Sequence, residues 1–329
     1  MQISQTITFI NEPKLSEHEV DQKFNERRKK LVPLVKDFIL QHPFFSGKEV
    51  TVTFLQAGVS SLVSIVETTE KKLILKIPLT ILNSRLEGVF LNTWENVGVK
   101  VPHVFEEGQI GDFFYILMEY IDAETVSSKY TNEESLEKNI YHKLGKLLHE
   151  MHKAKTQGYS NIVNKEHNPE YSNIADWIKG DTNMQTQVEY IKEHKLLDDE
   201  KHGSIDTVFN ILISSIGNSK ESVYCHNDFG GGNVFATEPF TVFDPWPCFH
   251  HPFMDVTRSL INISKNGVSK EGEQLLDGYF GDEKYNKKLL HAFLFVNMVA
   301  KLPYMHKTNK TEKIIGLQRY LEQTKTLLD

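Results

Sequence analysis

Three oxygen-bearing side chains, Asp228, Asn233 and Asp244, stand close together in the segment Cys225–Pro247, C-H-N-D-F-G-G-G-N-V-F-A-T-E-P-F-T-V-F-D-P-W-P. Aspartate and asparagine oxygens are what magnesium prefers, usually with substrate phosphates completing its octahedron. The glycine turn that follows Asp228 bends the chain back, so that a third oxygen, as ligand or base, approaches the same spot. The runs Val234–Ala236 and Thr241–Phe243 read as a hairpin around Glu238-Pro239. A register opposing Ala236 to Thr241 also opposes Asn233 to Asp244, placing two oxygen ligands together at the open end. The competing reading is that such residues serve turn chemistry alone. Three of them in this order and spacing favour metal and phosphate.

The segment also resembles the H-x-D-x-x-x-x-N catalytic loop, with its following metal-binding aspartate, of the aminoglycoside phosphotransferase and choline kinase-like family, relatives of protein kinases. The resemblance implies that Asp228 is the catalytic base for an attacking hydroxyl. It implies that Asn233 and Asp244 hold Mg2+ on the phosphates of ATP or GTP, and that His226 orients the loop. Asp255, in H-P-F-M-D-V-T-R-S-L, matches the family's helix-start aspartate that braces the loop from behind; a plain helix N-terminal acid is the alternative. Only Pro245–Met254 separates Asp244 from Asp255, which leaves no room for a peptide-docking platform. The expected acceptor is therefore a small hydroxylated molecule, cationic or neutral, such as an amino sugar or amino alcohol. Where many antibiotic kinases carry an aromatic and an acid after the metal aspartate, this chain has Pro245-Trp246-Pro247, and no antibiotic-resistance role is assigned. The competing functions are a nucleotide-binding pseudokinase and a protein kinase.

Upstream lie the other parts that a phosphoryl-transfer site needs. Lys76, in L-I-L-K-I-P, falls on the third strand, where kinases place the lysine that binds the α- and β-phosphates. Glu87 is the expected ion-pair partner, with Glu95 in reserve, although Ser84-Arg85-Leu86-Glu87 also reads as a capping box. The turn around Gly58, Ser60 and Ser61 occupies the place of a nucleotide-covering loop; it reads equally as a simple hairpin turn. The strand ending Ile116–Ile121 resembles the family's hinge, which implies that backbone groups of Glu119 and Ile121 bind the adenine edge. Two histidine pairs read as structure: His149 and His152 lack zincin spacing, and the side chains of the adjacent His250 and His251 diverge.

These residues need two scaffolds. Apolar positions at helical spacing run from Glu17 to Leu40, and strand-like runs follow at Val50–Leu55, Leu62–Thr68 and Leu73–Ile77. Leu86, Phe90, Trp94 and Val97 mark a helix face, and two more strands follow, around Val104 and over Phe113–Glu119. Helical periodicity then takes over, from Thr131 with Glu134 placed for a capping box through Met151. Further helices are expected near 172–194, 203–216, 254–264, 269–280, 284–302 and 311–327. The expected fold is α+β, bilobed and protein-kinase-like. Residues 1–119 form a small antiparallel-sheet lobe with one main helix, preceded by the N-terminal helix. Residues 120–329 form a larger, mainly helical lobe carrying the catalytic loop and acceptor site.

Bulk properties fit this plan. The 329 residues exceed what one core usually supports, and 40% are hydrophobic. A net charge of −7 with dispersed basic residues argues against a nucleic-acid surface. No apolar run is long enough for a membrane span; the best, Leu289–Ala300, reads as a buried helix. The N-terminus lacks the pattern of a secretion signal, and Cys225 and Cys248 suggest no disulfide framework, so a cytoplasmic location without an obligate protein partner is expected.

Overall fold

The computed structural model describes residues 6–17, 21–56, 60–79, 86–161, 168–197, 199–263 and 269–328. Gly58 and the Ser84-Arg85 half of the expected capping box lie outside them. The chain divides into two compact units, Met1–Asn92 with Val101–Asp122, and Thr93–Lys100 with Ala123–Asp329. A single cut after residue 119 leaves Thr93–Lys100 in the first unit. Packing places it in the second, where Trp94 stacks on His226 at 5.8 Å and the Lys100 carbonyl accepts from the Val242 N–H at 2.9 Å.

In the first unit β1 (Thr6–Phe9) precedes α1 (Gln22–Gln41), β2 (Glu49–Phe54), β3 (Ser61–Glu67), β4 (Lys72–Pro78), the first part of α2 (Glu87–Asn96), β5 (Val104–Ile110) and β6 (Phe113–Glu119). The strands make one sheet in the order β1-β2-β3-β4-β6-β5, antiparallel except where β1 runs parallel to β2. Alternation makes the strands: Val50, Val52 and Phe54 are buried while Thr51 and Thr53 are less so. That buried face meets Leu31, Val35 and Ile39, which line one stripe of α1, in a single core. Arg27 and Arg28 of α1 donate to the carbonyls of Leu79 and Ser61, tying the helix to the sheet where β3 begins and β4 ends. Thus the sheet has six strands against the five expected. The extra one, T-I-T-F, is too short and polar to stand out in the sequence.

The second unit comprises α3 (Val126–Lys129), α4 (Asn132–Glu137), α5 (Ile140–Met151), β7 (Lys155–Gln157), α6 (Ile174–Gly180), α7 (Thr182–Glu193), α8 (Asp199–Ile216), β8 (Glu221–Cys225), β9 (Val234–Phe235), β10 (Thr241–Val242), β11 (Cys248–His250), α9 (Pro252–Ile263), α10 (Lys270–Phe280), α11 (Lys287–Lys307) and α12 (Thr311–Leu328). The Thr131–Glu134 capping box forms, but it opens only α4, because Asn139 turns left-handed (φ 51°) and α5 starts afresh. The helix expected over 172–194 is likewise two, broken at Asp181, whose carboxylate caps α7 by accepting from the N–H groups of Asn183 and Met184 at 3.0 Å each. Helices α5 and α10 approach through Gly145 and Gly278, where an added Cβ would collide with the Leu275 and His142 carbonyls. The stretch Pro245–Met254 supplies β11, which pairs with β8 so that Cys248 faces Cys225; both thiols are free and buried. Among the described residues no helix is long and apolar enough to cross a membrane.

Candidate active site

Strand β8 delivers the chain into a tight loop whose backbone is fixed from behind by one buried carboxylate. Asp255, fully buried in the first turn of α9, accepts from the N–H groups of His226 at 2.6 Å and Asn227 at 2.7 Å, and lies 3.2 Å from His152 Nε2. Asn227 takes a left-handed conformation (φ 57°), and its carbonyl accepts from Arg258 Nε at 3.2 Å. Asparagine tolerates that region better than most residues. The His226 ring spans the loop: Nδ1 accepts from the Asp228 N–H at 3.3 Å, so Nε2 carries the proton that reaches the Phe243 carbonyl at 2.9 Å. His226 therefore joins the loop to the residue before Asp244.

This framework leaves Asp228 exposed, with its carboxylate held at both oxygens. Oδ2 accepts from Asn233 Nδ2 at 3.2 Å, and Oδ1 accepts from Asn262 Nδ2 at 3.2 Å. Asn233 Nδ2 also reaches the Asp228 carbonyl at 2.8 Å. Because that amide turns its nitrogen to Asp228, its oxygen faces away, the orientation a hard cation requires.

The hairpin register differs from the expected one. Thr241 pairs with Phe235 and Val242 with Val234, so the next position opposes Asn233 to Phe243, whose N–H donates to the Asn233 carbonyl at 3.1 Å. Asp244 lies one residue further, exposed and left-handed (φ 55°). The slip has its cause outside the hairpin. Ala236 cannot pair with Thr241 because its N–H donates to the Glu124 carbonyl at 2.9 Å, while Phe235 bridges Thr125. The turn is correspondingly longer and is closed by Thr237, whose hydroxyl reaches Pro239 O and Thr241 Oγ1 at 2.7 Å each.

In the first unit, Lys76 on β4 meets Glu87 at the start of α2, Nζ to Oε2 at 2.5 Å, with both side chains almost fully buried. Glu87 is thus an ion-pair partner, and Glu95 is exposed. Ser61 opens β3 and Ser60 precedes it; the Ser60 carbonyl accepts from the Leu79 N–H at 2.7 Å. Glu119 ends β6 with its N–H on the His103 carbonyl at 2.8 Å, whereas the Ile121 N–H meets no acceptor among the described residues.

A family model described as the phosphotransferase enzyme family matches residues 51–287, more than half of the chain. The chain belongs to the phosphotransferase enzyme family. It is a kinase-type phosphotransferase with an α+β, protein-kinase-like fold. Among solved structures it is similar to a thermostable variant of the aminoglycoside phosphotransferase APH(4)-Ia, in ternary complex with AMP-PNP and hygromycin B, at 14% identity and TM-score 0.65 over 88% of this chain and 97% of that one. It is similar to a protein assigned as a fructosamine-3-kinase of Thermobifida fusca YX-ER1, at 15% identity and TM-score 0.59, over 84% and 95% of the two chains. Spectinomycin phosphotransferase APH(9)-Ia, with ADP and spectinomycin, matches at 15% identity and TM-score 0.53, over 90% and 97%. No curated protein matches by sequence at a significant level.

Within this phosphotransferase the structure adds residues that sequence reading left out. Asn262 follows Asp255 by two helical turns on α9, a spacing that puts both on one face and was available as a signal. Lys301, on α11, donates to Asn262 Oδ1 at 2.6 Å and carried no local signal at all. The histidines are structural. His149 and His152 contact Tyr279, and burial holds His250 and His251 neutral, His251 down to about 4. His152, Cys225 and Asp255 lie within 4.8 Å of one another. They form a brace rather than a metal centre: the Asp255 oxygens already accept two backbone N–H groups, and burial pushes the Cys225 thiol up, away from thiolate.

Proposed function

We propose that this phosphotransferase moves the terminal phosphoryl group of ATP or GTP to a hydroxyl of a small acceptor such as an amino sugar or amino alcohol. Asp228 takes the hydroxyl proton while the new phosphorus–oxygen bond forms and the bond to the leaving nucleoside diphosphate breaks. One observation carries the reading. The exposed Asp228 carboxylate is held at both oxygens on a loop whose backbone is pinned by Asp255. A base fixed in this way needs little reorganisation when the acceptor arrives.

Asn233 and Asp244 fit Mg2+: both offer hard oxygen donors, and the Asn233 oxygen is turned away from Asp228. When bound, the ion neutralises charge developing on the phosphates. The buried Lys76–Glu87 pair is assigned to the α- and β-phosphates, Ser60, Ser61 and Gly58 to the covering loop, and the backbone of Glu119 and Ile121 to the adenine edge. Glu119 can serve only through its carbonyl, since its N–H is engaged, and Ile121 supplies the N–H. A small acceptor is supported by the fate of Pro245–Met254, which forms the buried strand β11 and the start of α9 in place of a docking platform. It is further supported by the nucleotide and antibiotic ligands of the similar structures.

The test is magnesium-dependent ADP or GDP release by the purified protein across amino sugars, amino alcohols and nucleosides, with the phosphorylated product identified by mass. Release with one acceptor class supports the reading. Silence across the whole panel, with nucleotide still bound, supports a pseudokinase; incorporation into protein alone supports a protein kinase.

A further inference from the structure

Helices α9 and α11 lie against each other through two rungs of side chains. On the first, Asn297 Nδ2 donates to the Met254 carbonyl at 2.8 Å and to Thr257 Oγ1 at 2.9 Å. One turn on, Lys301 Nζ donates to Asn262 Oδ1 at 2.6 Å. The Asn262 amide then hands the interaction to the catalytic loop, its Nδ2 reaching Asp228 Oδ1 and the Phe229 carbonyl at 3.2 Å each. Chemistry permits only this orientation. An ammonium can only donate and a carboxylate can only accept, so the amide between them must present its oxygen to Lys301 and its nitrogen to Asp228. A charged lysine polarises the amide and strengthens the donor that grips the carboxylate.

We infer that Lys301 and Asn262 are positioning residues for phosphoryl transfer, a relay by which α11 fixes the Oδ1 side of the Asp228 carboxylate. The inference rests on Asp228 being the base. Neither residue need touch the reacting atoms. The relay completes a two-sided grip, with Asn233 on Oδ2 and Asn262 on Oδ1, so that loss of either side lets the carboxylate rotate.

The relay has a charge state that changes near neutrality. Burial weakens the hold of Lys301 on its proton; Arg258 on α9 and Lys313 on α12 add to this and Asp228 opposes it, bringing the group from the ordinary lysine range down to about 7. Below that pH the ammonium polarises the amide fully. Above it the amine is neutral, the grip slackens, and kcat declines on the alkaline side.

The experiment follows ADP release from ATP and magnesium by the full-length chain, with water as acceptor, across the neutral pH range. The variants are K301M, K301R, N262A, the K301M/N262A double and D228N, and ATP affinity is measured by calorimetry. K301M should lower kcat about tenfold, within the roughly hundredfold that a group misplaced by about 1 Å can cost, with ATP affinity unchanged and the alkaline decline gone. N262A should lose a similar factor, and the double variant should be no worse than N262A alone, because the relay is one chain of contacts. K301R, always charged, should restore most of the rate without the decline. Wild-type kcat and pH profile in K301M, beside an inactive D228N, would overturn the relay and leave the base intact. Full activity in D228N would overturn the base and the relay together; if the unmodified chain releases no ADP with water, the same variants are compared with the acceptor that the panel identifies, and silence across that panel overturns both. Should K301M fail to fold, persistence of the alkaline decline in K301R overturns the relay.

Discussion

Replacement of Asp255 by alanine removes the carboxylate that holds the loop carrying Asp228, and its cost can be worked from the contacts. Two backbone donors, the N–H groups of His226 and Asn227, lose acceptors at 2.6 and 2.7 Å in a fully buried position. Each buried donor left unsatisfied costs about 1–3 kcal/mol. Loss of the acid in the first turn of α9 adds about 0.5 kcal/mol. His152 adds little, since Nδ1 keeps the Tyr279 hydroxyl at 2.7 Å and the ring can turn. With water entering part of the vacated space, the sum is about 3–5 kcal/mol, a large share of the roughly 5–15 kcal/mol that stabilises a typical domain. Asp255→Asn keeps one acceptor oxygen but aims an NH2 at the other donor, and should lose about half as much. Urea unfolding followed by far-UV circular dichroism measures the difference, and hydrogen exchange at the His226 and Asn227 amides localises it. Because the left-handed Asn227 leans on Asp255, Asn227→Gly should recover part of the stability of Asp255→Ala. An alanine variant that unfolds within about 1 kcal/mol of the parent, with both amides still protected, would refute the brace.

Lys76→Met should destabilise the first unit by about 3–5 kcal/mol by leaving the Glu87 carboxylate buried without its ammonium. The double variant Lys76→Met with Glu87→Leu should regain most of that stability without regaining ATP affinity, a split that unfolding and calorimetry together resolve. His251 keeps its proton only down at about pH 4 in the folded chain, against an ordinary value near 6.5, because burial and His152 disfavour the cation. The unfolded chain therefore binds more protons between those values, and stability falls as pH drops from about 6.5 toward 4, by up to about 3 kcal/mol. Urea unfolding as a function of pH checks this, and His251→Phe should flatten the acid slope.

The two scaffolds were legible in the sequence because their signals are local. Alternation in V-T-V-T-F and L-V-S-I-V marks β2 and β3 to within a residue, and the Thr131–Glu134 box marks a helix start. The loop proposed to carry the chemistry stood out as a motif, H-x-D-x-x-x-x-N, by residue type and spacing. The hairpin register was not, because the Glu124 carbonyl captures Ala236 from more than a hundred residues away. Helix breaks at Asn139 and Asp181 stayed hidden for a different reason: apolar periodicity continues across both. The Asn262–Lys301 contact joins two helices and leaves no trace in either one's own pattern beyond the placement of Asn262 on the Asp255 face.

The account turns on Asp228, and Asp228→Asn tests it most directly. Asparagine keeps the size of the side chain and removes its capacity to take a proton. With an acceptor found by the panel, kcat should fall by roughly a hundredfold or more, as for a lost general base, while ATP affinity and the unfolding midpoint stay close to those of the parent. Transfer at the parental rate by a folded, nucleotide-binding Asp228→Asn variant would contradict the account.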